Sequence, residues 1–420
     1  PANHLQKLFG RDFCIINSEK DTSPSYPLQV NLIQPPGEKD LLTEVSQLMG
    51  AIAKHSDKRF ITFVNSRKQT ELLSSIMFRD MNKVNTDDEQ INFSYDYLDY
   101  LDVLPYRAGY EEVDRKRIQE RFSNGKLKGI VSTSALELGI DIQGLEIEIL
   151  VGVPFSLTSL YQRMGRVGRS SPGEVYIINT GSVYDEAIFR KPEELFERPL
   201  SDTALYLENQ RIQYIHTMCL AREGGEHDQV CNIKNLNQSD PQIETSIIWP
   251  PGFLELVKKE KTGEIPIELQ SMKAQGAEVP HYVFPLRDVE PQFKVEYKVG
   301  PEQRNMGSLS FGQLMREAYP GAIYYYATTP YRVYKVNTRH HTVQIRQEKR
   351  YTTRPLDLKT NVYPNLSGEN NSAFQLGDLL VVECDLQINE IIHGFKEHRG
   401  PNETSHQYPL SGGYAGLYYE

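Results

Sequence analysis

Between Pro27 and Asn179 the apolar positions alternate between short strand-like runs and helix-like spacing. Leu41, Leu42, Val45, Leu48, Met49 and Ile52 recur at helical intervals, and Arg59–Asn65 (RFITFVN) then reads as a short buried strand. Ser66-Arg67-Lys68-Gln69 fits an S-x-x-Q capping box, with Leu72, Leu73, Ile76 and Met77 forming the apolar face of the helix it would open. A second cycle runs as a helix from Glu111 to Phe122, closed by Asn124-Gly125, into a strand at Lys128–Ser132. A strand at Ile147–Gly152, a helix starting near Ser156 and a strand at Glu174–Asn179 complete the series. Repeated βα units with short apolar strands predict a mostly parallel sheet with helices on both faces. Ligands of such sheets lie beyond the carboxyl ends of the strands.

The pattern changes after Pro192. Glu193–Glu223 reads as helical, with Leu205, Leu207, Ile212, Ile215 and Leu220 among its apolar positions, and a polar connection follows to Asp240. From His281 onward strands dominate: His281–Phe284, Gly321–Tyr326, Tyr331–Val336, Thr342–Arg346 and Asp378–Cys384. Tyr324, Tyr325, Tyr326, Tyr331 and Tyr334 crowd this part. They could stack on bases, although tyrosine is also an ordinary strand former.

Composition narrows the classes. The 420 residues allow two or three domains. With 46 Lys and Arg against 56 Asp and Glu the net charge is −10, which argues against a simple basic arm coating nucleic acid or lipid. It leaves open positive charge confined to one cleft. No apolar run approaches the ~20 residues of a membrane span, so no membrane partner is expected. Cys14, Cys219, Cys231 and Cys384 form no C-x-x-C pair, which reads as reduced, cytoplasmic thiols and predicts no metal site.

The chemistry concentrates in Val131–Arg169. Ser132-Thr133-Ser134-Ala135-Leu136-Glu137-Leu138-Gly139-Ile140-Asp141 follows a predicted strand, and Gln162-Arg163-Met164-Gly165-Arg166-Val167-Gly168-Arg169 follows some twenty residues later. Three arginines interleaved with two glycines make a poor core. Guanidinium groups bind phosphoryl oxygens bidentately, and glycines permit close approach. Arg166 and Arg169, three apart on a helical turn, would project to one side. A lone R-x-G-R would more simply be a solvated basic helix end; the upstream T-S-A-L-E-L-G-I-D tips the reading toward phosphate.

These two segments resemble motifs V and VI of the superfamily 2 helicases. Ile61-Thr62-Phe63-Val64-Asn65-Ser66-Arg67 is similar to motif IV, and Tyr106-Arg107-Ala108-Gly109-Tyr110 to the stretch preceding motif V. The spelling resembles the branch containing the bacterial mitomycin-repair helicases and their fungal relative. Phe189–Pro199 is similar to that branch's linker, and Tyr319–Tyr324 with Tyr351–Pro355 to its accessory β-rich region.

The resemblance implies a RecA-like α/β lobe at 27–192, a helical or winged-helix-like module at 193–285 and a β-rich accessory module at 286–420. Residues 1–26 would be a tail from a first RecA-like domain that precedes this one. It implies arginine fingers at Arg166 and Arg169, with Gln162 and Arg163 coupling nucleotide state to the opposing lobe. Gly139 and Asp141 would lie near the nucleotide sugar, and Ser66, Arg67, Arg107, Gly109 and Thr133 on a strand's phosphates. Ser66 has a simpler role as a helix cap. There is no G-x-x-x-x-G-K-[ST] and no D-E-A-H or D-E-x-D. ATP and Mg2+ would therefore be held mainly by the first lobe, and this chain alone would not turn over ATP. The expected partners are single-stranded or partly duplex DNA, that first lobe, and a zinc module or partner subunit. The implied activity is a 3′–5′ DNA helicase in repair. A phage-defence translocase, an RNA-remodelling helicase and a non-catalytic binding scaffold are the alternatives.

Overall fold

The computed structural model describes the chain apart from residues 1–4, 7–8, 10–11, 17–19, 23–25, 83–100, 138–143, 199–206, 208, 221–248, 277–279, 285–290, 300–301, 350, 358–359, 368–371, 401, 410–413 and 420. It divides into two compact units. Ser25–Pro199 together with Phe293–Glu420 form one; Pro1–Pro24 with Leu200–Gln292 form the other.

The larger unit begins with a RecA-like parallel sheet of six strands, in the order β1-β6-β5-β2-β4-β3. The strands are β1 (Leu28–Ile33), β2 (Phe60–Phe63), β3 (Val103–Tyr106), β4 (Gly129–Ser132), β5 (Ile147–Val151) and β6 (Gly173–Ile178). Every pairing is parallel. Helices cover both faces. Val45 and Met49 of α1 (Leu41–His55) and Leu73 and Met77 of α2 (Arg67–Asn82) pack on Phe60, Val131, Ile147 and Ile149. On the opposite face Ile118 and Phe122 of α3 (Glu112–Ser123), Leu157 and Leu160 of α4 (Leu157–Met164) and Ile188 of α5 (Val183–Arg190) pack on Ile61, Ile130, Leu150 and Val175. Alternation along β5 assigns the faces: odd positions meet the first layer and even positions the second.

The pattern does not announce β1 and β3. β3 carries Pro105, which removes a ladder donor, and it survives because it is the edge strand of the sheet. The expected helix at Glu193–Glu223 is, among the described residues, two helices: α6 (Glu194–Glu197) and α7 (Gln210–Leu220). Arg198, ahead of Pro199, is extended (φ −59°, ψ 140°), as a residue before proline prefers.

The smaller unit is helical in its described residues: α7 with α8 (Phe253–Thr262), α9 (Ile267–Gly276) and α10 (Pro280–Val283). Its core gathers Tyr214, Ile215, Met218, Leu256, Leu269, Met272 and Phe284. The strand expected at His281–Phe284 is helix α10 instead. Pro280 stands at its first position, where a missing N–H costs nothing, and the Phe284 N–H closes on the Pro280 carbonyl at 2.7 Å. No strand of a wing lies among the described residues.

The β-rich module belongs to the larger unit. One sheet runs β8-β7-β11-β10-β9, from β7 (Gln292–Val299), β8 (Glu302–Ser310), β9 (Ile323–Tyr326), β10 (Thr329–Asn337) and β11 (Thr342–Gln347). A second is built on the long β16 (Asp385–Arg399), which pairs β12 (Thr352–Asp357), β13 (Asn361–Asn365), β17 (Asn402–Gln407) and β18 (Tyr414–Tyr419). β14 (Ser372–Leu376) and β15 (Leu379–Glu383) form a separate hairpin. The core is continuous with that of the parallel sheet: Ile61, Tyr106, Tyr110 and Ile118 share one apolar cluster with Tyr324, Tyr326, Val343 and Phe395.

Candidate active site at the carboxyl ends of the strands

The loops leaving β2, β3, β4 and β5 emerge side by side at one edge of the sheet. After β2, Ser66 caps α2: its Oγ accepts the Gln69 N–H at 3.1 Å. Asn65 Nδ2 donates to the Val151 carbonyl at 3.4 Å and ties this loop to the end of β5. Thr133, half-buried after β4, opens a short 3-10 turn at Ser134–Leu136 without capping it.

The loop after β3 departs from expectation. Arg107, expected on a strand's phosphates, is 1% exposed. Its Nε donates to Glu71 Oε1 at 2.8 Å, and its Nη2 donates to the Tyr324 hydroxyl at 2.9 Å and the Tyr325 carbonyl at 3.1 Å. The guanidinium also lies over the Tyr110 ring, 4.6 Å from its centroid. A cation enclosed this way faces the accessory module and not a strand. Gly109 is in the same joint, where its carbonyl approaches Gly307 so closely that a Cβ there would lie 1.8 Å from it. Of the expected strand contacts, Ser66, Arg67 and Thr133 remain half-exposed at the edge.

The same joint uses the tyrosines. Tyr324, Tyr325, Tyr326 and Tyr331 are buried, whereas Tyr334 is exposed. Tyr326 donates to Asp114 Oδ2 at 2.6 Å and accepts the Glu111 N–H at 3.1 Å. The Tyr110 hydroxyl donates to Glu71, whose carboxylate also accepts the N–H groups of Ala327 and Thr328, at 3.3 and 2.9 Å. Burial, then the Glu71 charge, pushes the Tyr110 phenol well up. Burial works against the Arg107 charge, but Tyr324, Glu71 and Tyr110 more than offset it and hold its pKa well above the usual value.

Glu137 is the hub of the arginine-rich segment. Its carboxylate pairs with Arg163 Nε at 3.5 Å and accepts from the Ser159 hydroxyl, while its backbone carbonyl accepts from Arg166 Nη2. Arg163 lies over Phe63, 5.2 Å from the ring centroid. Helix α4 stops at Met164, so Arg166 and Arg169 do not share a helical face. Gly168, at φ +73°, turns the chain between them. Arg166 is buried; Arg169 is exposed, with its Nε donating to the Gly165 carbonyl at 2.8 Å. Gln162 is half-buried on α4, and Gly139 and Asp141 lie outside the described residues.

The pattern gave no reason to single out Glu148, on β5. It is fully buried, and neither carboxylate oxygen has a hydrogen-bond partner. Burial pushes its pKa well up, opposed by the Arg163 and Arg166 charges. The available signal is an acid on the inward alternation of the strand E-I-E-I-L-V. Among the described residues no group of three His, Cys, Asp or Glu side chains could hold a metal, and no helix is long and apolar enough to cross a membrane.

Residues 41–171 match the helicase conserved C-terminal domain. Over those residues the chain is similar to the C-terminal portion of the superfamily 2 helicases. The ATP-dependent helicase hrq1 of Schizosaccharomyces pombe is 32% identical over 237 residues, covering 53% of this chain and 21% of that protein. The uncharacterised ATP-dependent helicase YprA of Bacillus subtilis is 37% identical over 122 residues, 29% of this chain and 16% of its own. A crystal structure of the DUF1998 helicase MrfA bound to DNA superposes with a TM-score of 0.69 at 20% identity, over all of this chain and 53% of that one, and shows the fold. The chain thus spans about a fifth or less of these curated relatives and half of that structure. In this helicase domain Glu137, Arg163 and Arg166 bring the segments resembling motifs V and VI into direct contact.

Proposed function

We propose that this chain supplies the arginine side and part of the strand-facing edge of an ATP-driven DNA translocase. The observation that carries the reading is Glu137: one residue of the motif V-like segment holds two arginines of the motif VI-like segment, through its carboxylate and its carbonyl. A change at the strand-side loop after β4 would therefore reach the arginines through a single residue.

ATP with Mg2+ would supply the phosphoryl group passed to water, its triphosphate held by a first RecA-like lobe, since no phosphate-loop signature occurs in this sequence. The cluster fits a phosphoryl group: the Arg163 and Arg166 guanidinium groups are gathered on Glu137, and Arg169, three residues on, is exposed. Arg169 is the arginine already at the surface. Arg166 engages phosphate by giving up its bond to the Glu137 carbonyl. Gln162 and Arg163 link that exchange to lobe closure, after which hydrolysis reopens the lobes and the strand advances. Direction along the strand, a role in repair and a cytoplasmic setting follow from the family resemblance, as does pairing with a zinc module or partner subunit.

The test is strand-stimulated ATP turnover by the complete motor, this chain together with a lobe carrying the phosphate loop. Arg169→Ala should lower kcat by ~10³-fold or more. Turnover within roughly twofold of the unaltered motor would remove the finger assignment. The chain by itself should bind single-stranded DNA weakly, release it with salt, and show no turnover.

A further inference from the structure

Arg67 leaves β2 at the edge where a strand's phosphates would lie, yet its guanidinium is already held from outside the parallel sheet. Its Nη1 donates to Gln313 Oε1 at 2.7 Å. Gln313 stands in the first turn of α11 (Phe311–Glu317) in the accessory module, and a capping box fixes it there. The Ser310 N–H donates to Gln313 Oε1 at 3.0 Å, and the Gln313 N–H donates to Ser310 Oγ at 3.4 Å. One carboxamide oxygen thus takes both the helix-cap N–H and the arginine.

The surroundings close on the same group. A Cβ at Gly109 would lie 3.0 Å from Arg67 Nη1 and 3.0 Å from the Ser308 carbonyl, so the loop after β3 leaves room for the guanidinium and for little else. Next along α2, Lys68 Nζ donates to the Thr353 carbonyl of the accessory module. The buried Glu71–Arg107 pair keeps the module seated beside both. Arginine is a long side chain with much rotamer freedom to lose. Holding its plane in advance removes that cost from the binding step.

We propose that Gln313 is a positioning residue for strand binding, which sets the Arg67 guanidinium for a nucleic-acid phosphate. The proposal rests on the reading of Arg67 as a strand contact. The module then takes part in the grip without itself touching the strand.

The experiment is fluorescence anisotropy of a labelled oligothymidylate titrated with this chain at several salt concentrations. Arg67→Gln should weaken binding by roughly tenfold and lower the salt slope by about 0.7, the value for one phosphate contact on a single strand. Gln313→Glu keeps the capping box, because glutamate serves equally well at that position. It places a carboxylate on Arg67, and should reproduce most of both changes. In the Arg67→Gln background the same substitution should change affinity by less than about twofold. Gln313→Met keeps the arginine's charge but frees its plane, and should weaken binding several-fold with the salt slope unaltered. Binding by Gln313→Glu and Gln313→Met equal to the unaltered chain, with Arg67→Gln weakened, would overturn the positioning role alone. Unaltered binding by Arg67→Gln would overturn the strand contact, and the positioning role with it.

Discussion

The β-rich module and the helical unit hold together in different ways. The module shares one apolar cluster with the parallel sheet and meets it through a buried ion pair, Glu71–Arg107, ringed by Tyr110, Tyr324 and Tyr326. The helical unit has its own small core around Tyr214, Met272 and Phe284. A shared core with buried charges resists separation, because parting it would expose apolar surface and strand a cation and a carboxylate. Any motion of the RecA-like lobe should carry the β-rich module with it, as part of the same body. Sequence order alone would have made both modules look like equivalent attachments.

The largest expected break in this contrast is Arg107→Met, which leaves the Glu71 carboxylate buried without its partner. Urea unfolding should show the larger unit destabilised by ~3–5 kcal/mol, with helices 210–283 unfolding as before. Equal loss in both would mean that they fold as one. Gly307→Ala comes next. The residue sits at φ +88° with the Gly109 carbonyl in the space of a Cβ, so strain and clash should cost about 1–3 kcal/mol, read as a fall in Tm of the larger unit.

How much of this was legible in the sequence depended on whether local or distant partners decide a residue's place. α1, α2, β2, β4, β5 and β6 follow from apolar periodicity and local caps, because those signals lie within the segment itself. β3 was hidden by Pro105, which only its edge position tolerates, and α10 by the strand-like run Tyr282-Val283-Phe284, which Pro280 overrides. In the site, Glu137, Arg163 and Arg166 come together from the two segments that the motif spacing singled out. The burial of Arg107 was not legible, because Tyr324 and Tyr325 among its partners lie over 200 residues away, in a module whose tyrosines looked like generic strand formers. Glu148 carried only a faint mark, one acid on an inward-facing alternation, since a charge cluster is a property of the packed layer and not of the strand.

Glu148→Gln sharpens the contrast through pH. Burial raises the folded pKa of Glu148 above its unfolded value, so its contribution to stability is fully present below the unfolded pKa and is lost as pH rises through the folded one. The glutamine variant should therefore melt higher than the unaltered chain at pH 8 and gain less at pH 4, in the larger unit only. A gain that is the same at both pH values would contradict the assignment. The smallest effect is expected in the helical unit, from Tyr214→Phe. Losing the hydroxyl's 2.7 Å bond to Glu260 Oε2 should cost roughly 0.5–1.5 kcal/mol locally and leave the melting of the larger unit unaltered.

The most direct measurement is native-state hydrogen exchange of this chain in increasing urea. The amides of Ala327 and Thr328 donate to Glu71 across the joint, and those of Ile61 and Leu150 lie at the centre of the parallel sheet. If the β-rich module is part of the RecA-like lobe, all four should converge on one opening free energy with one dependence on urea. Exchange of Ala327 and Thr328 through a lower, separate opening, while Ile61 and Leu150 stay protected, would contradict it.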